Sequence, residues 1–349
     1  MPTPRQFLEQ LLEGRDLTEL EAADLLAHLA ATDLAPALAG ALLAALRGKG
    51  VTTAEVRGFA AAMRSLARRP GLPGATVAMD IVGTGGDSSG SLNLSTGAAL
   101  LAAACGLPVV KHGNRSISSR SGSADLLERL GFAMPLDEAQ AAECFAATGF
   151  TFLFAPYFHP AMKALSAVRA ALGVRTVFNL LGPLTNPAAP GFQLIGAYDA
   201  ASAELIAGTV AGMAIRRVWV IHGAGGWDEA TPIGPFLAFD VKPGAIVKQY
   251  IDPREFGLAP CSAEELAGGD ATANLKALLD VFEGRDRGAH RAALVLQCGL
   301  ALYVAGRTAS IAGGIAKAGA VIDSGRASLW TDTLRAFAAR QAAAVRVRA

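Results

Sequence analysis

Apolar positions recur at helical spacing through the first part of the chain. Phe7, Leu8, Leu11 and Leu12 share one helical face, and Thr18-x-x-Glu21 and Thr52-x-x-Glu55 each set a hydroxyl three residues before a carboxylate, the capping-box pattern that opens an amphipathic run. Pro36 opens a further run, which Gly48 and Gly50 are expected to end. The pattern predicts four short helices, a bundle too small to bury all its apolar faces alone, so it is expected to dock on the rest of the chain, on a second copy, or on both.

Pro70-Gly-Leu-Pro-Gly74 reads as a linker, and beyond it short apolar, β-branched runs alternate with helical ones. Strands are expected at Ala75 to Val82, Pro108 to Lys111, Phe150 to Phe154, Gln193 to Ala197, Arg217 to His222 and Leu237 to Val241. Helices are expected at Gly97 to Cys105, at Ser123 to Leu130 ended by Gly131, and at Ala201 to Met213. Helices return at Ala271 to Phe282 and Arg287 to Ala305, and Leu329 to Ala349 reads as a terminal helix fraying into an Arg-rich tail. This order predicts an α/β protein: a small all-helical domain plus a larger α/β domain with a mainly parallel sheet, ligands binding beyond the carboxyl ends of the strands. The segment His159 to Pro187 interrupts the alternation with a helical run, Pro160 to Leu172, closed by Gly173. If it returns to the bundle, residues 1–72 and about 159–188 form the small domain and residues 73–349 the large one, with a hinge at the two crossings.

The chemistry concentrates after predicted strands. Asp80-Ile-Val-Gly-Thr-Gly-Gly-Asp87, continued by Asn93-Leu-Ser-Thr96, has the strand, glycine turn and helix layout that collects anions: Gly83, Gly85 and Gly86 let successive N–H groups face one concavity, and Ser95 and Thr96 fall at a helix N-terminus. It is not a P-loop, since no Lys-Ser/Thr follows, and Ser88 stands where a dinucleotide fingerprint would want glycine. Asp87 would repel a bare phosphate but suits one that arrives with a divalent cation. Taken alone, the loop fits a plain tight turn equally well.

Lys111-His-Gly-Asn-Arg-Ser-Ile-Ser-Ser119 gathers two cations, an amide and hydroxyls after a strand, the donors a second phosphate or sugar group would need; the alternative is a solvated surface loop. In His222-Gly-Ala-Gly-Gly-Trp-Asp-Glu229, the carboxylates of Asp228 and Glu229 can turn to one place after the glycines and hold Mg²⁺, although an isolated Asp-Glu pair is commonly surface charge. His112, His159 and His222 near strand ends lack metal-ligand spacing and fit hydrogen-bonding roles. No nucleophile elbow occurs. These residues suggest a Mg²⁺-assisted enzyme for a polyanionic sugar phosphate and leave the acceptor unnamed.

Composition narrows the partners. A chain of 349 residues holds one large or two ordinary domains; a net charge of +1 and a hydrophobic fraction of 52% predict a soluble protein without general attraction to nucleic acid or anionic membrane. Cys105, Cys144, Cys261 and Cys298, widely spaced in apolar surroundings, read as buried reduced thiols. The start of the chain has no apolar signal core and no apolar run reaches membrane length, so a cytoplasmic protein is expected.

Gly83-Thr-Gly-Gly-Asp87, Asn93-Leu-Ser-Thr96, Lys111-His-Gly-Asn-Arg115 with Ser118-Ser119, Gly122-Ser-Ala-Asp125, His159-Pro-Ala-Met-Lys163, Arg175-Thr-Val-Phe-Asn-Leu-Leu-Gly-Pro-Leu184 and Asp228-Glu229 occur in order along essentially the whole chain, which through them resembles anthranilate phosphoribosyltransferase of tryptophan biosynthesis. The resemblance implies transfer of the 5-phosphoribosyl group from 5-phosphoribosyl 1-diphosphate to the amine of anthranilate, with two Mg²⁺ per subunit, in a homodimer joined through the helical domains. By matching position it implies that Gly83, Gly86, Asp87, Ser91, Asn93, Leu94, Ser95, Thr96, Lys111, His112, Gly113, Asn114, Arg115, Ser116, Ile117, Ser118, Ser119 and Ser123 touch the donor. It implies further that Ser95, Asp228 and Glu229 serve the metal, that Gly83, Asn114 and Arg169 meet anthranilate, and that no residue is marked as a covalent catalyst. Trp227, Ala167 and Gln297-Cys298 depart from the usual pattern at positions that touch packing near the acceptor channel more than the phosphate loops. A pyrimidine nucleoside phosphorylase would instead show Lys-His-Ser-Thr-Gly-Gly, and a non-catalytic nucleic-acid-binding relative would lose Asp228-Glu229 and gain a basic surface.

Overall fold

The computed structural model describes residues 2–31, 33–87, 89–116 and 120–348, with side chains to residue 343. Helices α1 (Pro4–Leu12), α2 (Glu19–Ala30), α3 (Pro36–Lys49) and α4 (Thr53–Leu66) form the N-terminal bundle. The two expected capping boxes open α2 and α4, and a third, Thr3 with Gln6, opens α1. Gly48 lies inside α3 rather than ending it; the stop is Gly50, at φ +86°.

The α/β part then runs β1 (Met79–Gly83), α5 (Leu94–Ala104), β2 (Val109–Gly113), α6 (Ser123–Leu130), α7 (Glu138–Thr148) and β3 (Phe150–Phe154). Three helices interrupt it: α8 (Ala155–Phe158), α9 (Lys163–Leu172) and α10 (Phe178–Leu181). It resumes with β4 (Phe192–Gly196), α11 (Ala200–Ala211), β5 (Arg217–His222), β6 (Phe236–Lys242) and β7 (Ala245–Ile251), and closes with α12 (Ala271–Phe282), α13 (Ala289–Val304), α14 (Ile311–Asp323) and α15 (Arg326–Arg348). Ala75 to Val77, expected as strand, is a 3-10 turn entered through a left-handed Gly74, so β1 begins only at Met79. Cys261, expected buried, is half-exposed. Among the described residues no helix is long and apolar enough to cross a membrane.

The sheet order is β3-β2-β1-β4-β5-β6-β7: the first five strands are parallel, and β6 and β7 add an antiparallel edge. The chain fills one side of β1 with β2 and β3 and then crosses to the other with β4 and β5, which opens a crevice beyond the carboxyl ends of β1 and β4. Successive strand residues face opposite layers. Ile81, Leu194, Trp219 and Ile221 pack with α5, α6, α12 and α13, whereas Val82, Ile195, Val218 and Val220 pack with α11 and the N-terminal helices. Helix α9 lies against α2 and α3, and its Leu165 is buried with them.

One carboxylate knits the bundle's turns. Glu55, fully buried at the start of α4, accepts from Thr52 N (2.8 Å), Leu17 N (2.9 Å) and Lys49 Nζ (3.0 Å). Burial alone would lower the pKa of Lys49, but its bonds to Asp16 and Glu55 hold it above the ordinary lysine value. Glu55→Ala would leave the Leu17 and Thr52 N–H groups without their acceptor and Lys49 with only Asp16 and the Gly50 carbonyl, and is expected to cost about 3 kcal/mol. Urea denaturation of the variant beside a Ser65→Ala control checks it.

Candidate active site

The loop after β1 is fastened at each step. Thr84 N donates to Gly196 O at the end of β4 (2.9 Å), Tyr198 N donates to Thr84 Oγ1 (3.1 Å), and Gly85 N donates to Asp228 Oδ2 (2.8 Å). Gly85 and Gly86 follow at φ +65° and +77°, a path side chains resist. Asn93 stands at the N-cap of α5 but does not cap it. Its Nδ2 donates to Ser121 O (3.0 Å), and its Oδ1 accepts from Ser121 Oγ (3.0 Å) and Asn274 Nδ2 (2.9 Å), which leaves the first-turn N–H groups around Ser95 and Thr96 for an external acceptor. Thr96 Oγ1 donates to Ser123 Oγ (3.0 Å), bringing the start of α6 beside the start of α5.

Oxygens of Asp87, Asp228 and Glu229 all lie within 4.8 Å of one another, although Asp228 is 141 residues from Asp87. Glycines make this approach possible: a Cβ on Gly83 would strike the Asp228 carboxylate, one on Gly196 the Asp228 backbone, and one on Gly223 the Glu229 carbonyl. Burial, with the nearby charge of Asp87, pushes Asp228 up to about 6; burial and the charge of Asp228 push Glu229 well above the usual carboxylate range. Glu229 Oε2 is buried without a partner among the described residues. Crowded oxygen donors of this kind, one of them orphaned, fit a hard divalent cation such as Mg²⁺.

Lys111 lies in β2 as expected, and His112 and Gly113 are strand rather than loop residues, because pairing with β3 runs on to Gly113. Lys111 Nζ, buried, donates to Ile81 O and to Ser95 Oγ (3.4 Å); burial lowers its pKa to about 8 against the opposing charges of Asp80, Glu229 and Asp228. It is therefore a counter-charge beneath the carboxylates. Asp80, which burial pushes up to about 6, accepts from Asn186 Nδ2 (2.9 Å) and His112 N (3.3 Å).

The histidines position rather than ligate. His112 Nδ1 lies 3.2 Å from Gly182 O and its ring meets that of His159 edge-on at 5.2 Å, burial driving their pKa values to about 3 and about 4; His222 Nδ1 lies 2.9 Å from Ala197 O. Arg115 does not stand free: its guanidinium pairs with Glu128 and with Asp125 (3.3 Å) on α6. Asp125 also accepts from Ser116 N (3.1 Å) and Gly122 N (2.8 Å), shaping the turn that follows Asn114. Ser91 Oγ accepts from Ser89 Oγ (3.2 Å), and Leu94 is buried in the core. Arg169, half-buried on α9, has its guanidinium over the Phe178 ring at 5.2 Å and meets no carboxylate among the described residues. Ile117, Ser118 and Ser119 lie outside the described residues.

Two residues to which the sequence reading gave no site role also meet the glycine loop. Arg175 donates through Nη2 to Gly86 O and stacks on Tyr198, its guanidinium carbon 3.8 Å from the ring centroid. Tyr198 lies just past the carboxyl end of β4, where the open-sheet rule directs attention; Arg175 opens the motif Arg175 to Leu184, which carries the resemblance but no role for that arginine.

A family model described as glycosyl transferase family, helical bundle domain, matches residues 5–67, and one described as glycosyl transferase family, a/b domain, matches residues 75–328. Anthranilate phosphoribosyltransferase of Methylobacterium radiotolerans is 46% identical over 327 residues, 94% of each chain, and that of Desulforudis audaxviator 44% identical over 323 residues, 93% of each. Among solved structures, the enzyme of that name from Thermus thermophilus matches with a TM-score of 0.88 at 40% identity, over 95% of this chain and 99% of that one. The Saccharomyces cerevisiae enzyme, solved in complex with PRPP and Mg, matches with a TM-score of 0.86 at 25% identity, over 97% and 98%. With helical bundle, α/β domain and near full-length identity in agreement, the chain belongs to the anthranilate phosphoribosyltransferase family.

Proposed function

We propose that the chain transfers the 5-phosphoribosyl group from 5-phosphoribosyl 1-diphosphate to the amine of anthranilate, giving N-(5-phosphoribosyl)anthranilate and diphosphate in the second step of tryptophan synthesis from chorismate. The observation that carries this reading is the cluster of Asp87, Asp228 and Glu229, held to the glycine loop by the bond from Gly85 N to Asp228. Gly83, Gly86, Asp87, Ser91, Asn93 to Thr96, Lys111 to Ser119 and Ser123 contact the donor. Asp228 and Glu229, with Ser95 and two Mg²⁺ per subunit, serve the diphosphate; when bound, the metal would neutralise charge on the departing group. Retention of Asp228-Glu229 and of Gly83-Thr-Gly-Gly-Asp87 speaks against the nucleic-acid-binding and phosphorylase alternatives.

The residues do binding and orientation rather than covalent work. Anthranilate's aromatic amine is a neutral nucleophile, so the barrier lies in leaving-group departure and in charge growing on the ribose ring, and loop N–H groups held in place beforehand stabilise that separation. Gly83, Asn114 and Arg169 meet anthranilate, Arg169 taking its carboxylate. The chain acts in the cytoplasm in this reading, in keeping with a donor too highly charged to leave its compartment unaided. Residues 1–72 with 159–188 make up the acceptor-side domain and residues 73–349 the donor-side one. Leu12 and Leu20, 71% and 80% exposed on the bundle, mark the face that a second copy covers.

Loss of anthranilate fluorescence with the diphosphate donor and Mg²⁺ tests the activity; no loss at millimolar donor would overturn it. Asp228→Asn with Glu229→Gln is expected to lower turnover at saturating Mg²⁺ by about 100-fold or more. Arg169→Ala is expected to raise KM for anthranilate by about tenfold, with much less effect on the donor, since a charged hydrogen bond contributes roughly 1.5 to 3 kcal/mol. Sedimentation velocity is expected to show a dimer at micromolar concentration that Leu12→Arg with Leu20→Arg dissociates.

A further inference from the structure

Within the loop 84–87, three of the four residues are tied to the sheet or to the β5 loop: Thr84 to Gly196 and Tyr198, Gly85 to Asp228, and Asp87, through Oδ2, to Asp228 N at 3.4 Å. Gly86 is tied elsewhere. Its carbonyl accepts from Arg175, which belongs to the segment between β3 and β4. The backbone of Arg175 is anchored in turn to the bundle, Arg47 Nη1 at the end of α3 donating to Arg175 O at 2.8 Å. Its guanidinium rests on the half-buried Tyr198 ring, whose own backbone N–H holds Thr84. No carboxylate among the described residues pairs with Arg175, so its charge stays at the loop.

We propose that Arg175, seated on Tyr198, is a positioning residue for the diphosphate donor, fixing the orientation of the Gly86–Asp87 peptide and carrying that constraint from the helical bundle into the glycine loop. In a planar trans peptide the C=O and the following N–H point in opposite directions. Turning the Gly86 carbonyl towards Arg175 therefore turns the Asp87 N–H away from it, and that N–H has no acceptor among the described residues. The same peptide carries the Asp87 side chain, which must stay beside Asp228 and Glu229. A free glycine pair has little of its own to hold this orientation, because Gly85 and Gly86 populate left- and right-handed regions about equally. A planar, weakly hydrated guanidinium stacked on an aromatic face supplies the missing restraint, and a flexible ammonium cannot stack in the same way.

This inference rests on the donor assignment made above, so its test reads donor binding apart from turnover. The full-length chain is titrated calorimetrically with 5-phosphoribosyl 1-diphosphate in the presence of Mg²⁺, and steady-state KM values for both substrates are measured alongside. Arg175→Ala and Tyr198→Ala are each expected to raise the donor Kd and KM by about tenfold, with the anthranilate KM moving by less than about twofold. Tyr198→Phe, which keeps the ring, is expected to bind donor as the parent does, and Arg175→Lys to recover only part of the loss. Parent-like donor binding by Arg175→Ala would overturn the inference. So would an equal rise in both KM values with a lower melting temperature, which would make Arg175 a contact of the fold. A parent chain that binds the donor without consuming anthranilate would overturn the acceptor reading alone, the calorimetric comparison still deciding the role of Arg175. A parent chain that does not bind the donor would overturn both.

Discussion

The close approach of Asp228 to the carboxyl ends of β1 and β4 is the contact on which the rest of the site depends. Gly83 and Gly196 are adjacent in the sheet, and any side chain at either would occupy the space of the Asp228 carboxylate or backbone. That opening lets the β5 loop lean across two strands, bond Gly85 N and bring Glu229 to Asp87. The arrangement is costly in charge. Three carboxylates share a small volume above a single buried ammonium, Lys111, and two of them are pushed upward in pKa. Such an excess of negative charge is tolerable in a folded chain when a cation completes it.

Around that contact the two faces of the sheet do different things. On one face α5, α12 and α13 bury the inward strand residues, and Gln297 of α13 donates to Ala230 O (3.0 Å), bracing the residue after Glu229 from behind. On the other face the bundle, α9 and α11 form a second apolar layer that also includes Val82 and Ile195. The glycine loop between β1 and β4 is thus braced from the α/β core through Asp228 and from the inserted segment through Arg175.

Signals carried by neighbouring residues were legible in the sequence; those that need distant partners were not. The capping boxes at Thr18 and Thr52, the stops at Gly131 and Gly173, and most of the parallel strands follow from local spacing. The hairpin strand β7 is almost wholly exposed and lacks an apolar alternation, and α14 carries Gly313, Gly314 and Gly319, which weaken a helical pattern, so neither stood out. In the site, the glycine loop and Asp228-Glu229 were visible as motifs, yet nothing local says that Gly85 N meets Asp228, or that Arg115 turns to Glu128. His112 and Gly113 looked like loop residues because β2 extends two residues beyond its expected end at Lys111. A contact such as Arg175 with a carbonyl has no motif at all, since every residue presents a carbonyl.

The insertion of α8 to α10 between β3 and β4 has a consequence for how this architecture can change. The groups assigned to the donor sit almost entirely on the sheet and its rear layer, whereas Arg169, assigned to the acceptor's carboxylate, rides on a helix packed against α2 and α3. Donor handling and acceptor choice are therefore separable only in part: a lineage that rewrote the exposed turns of α9 to adopt a different nucleophile would still have to keep Arg175 and its footing on Arg47, because the inserted segment also holds the glycine loop.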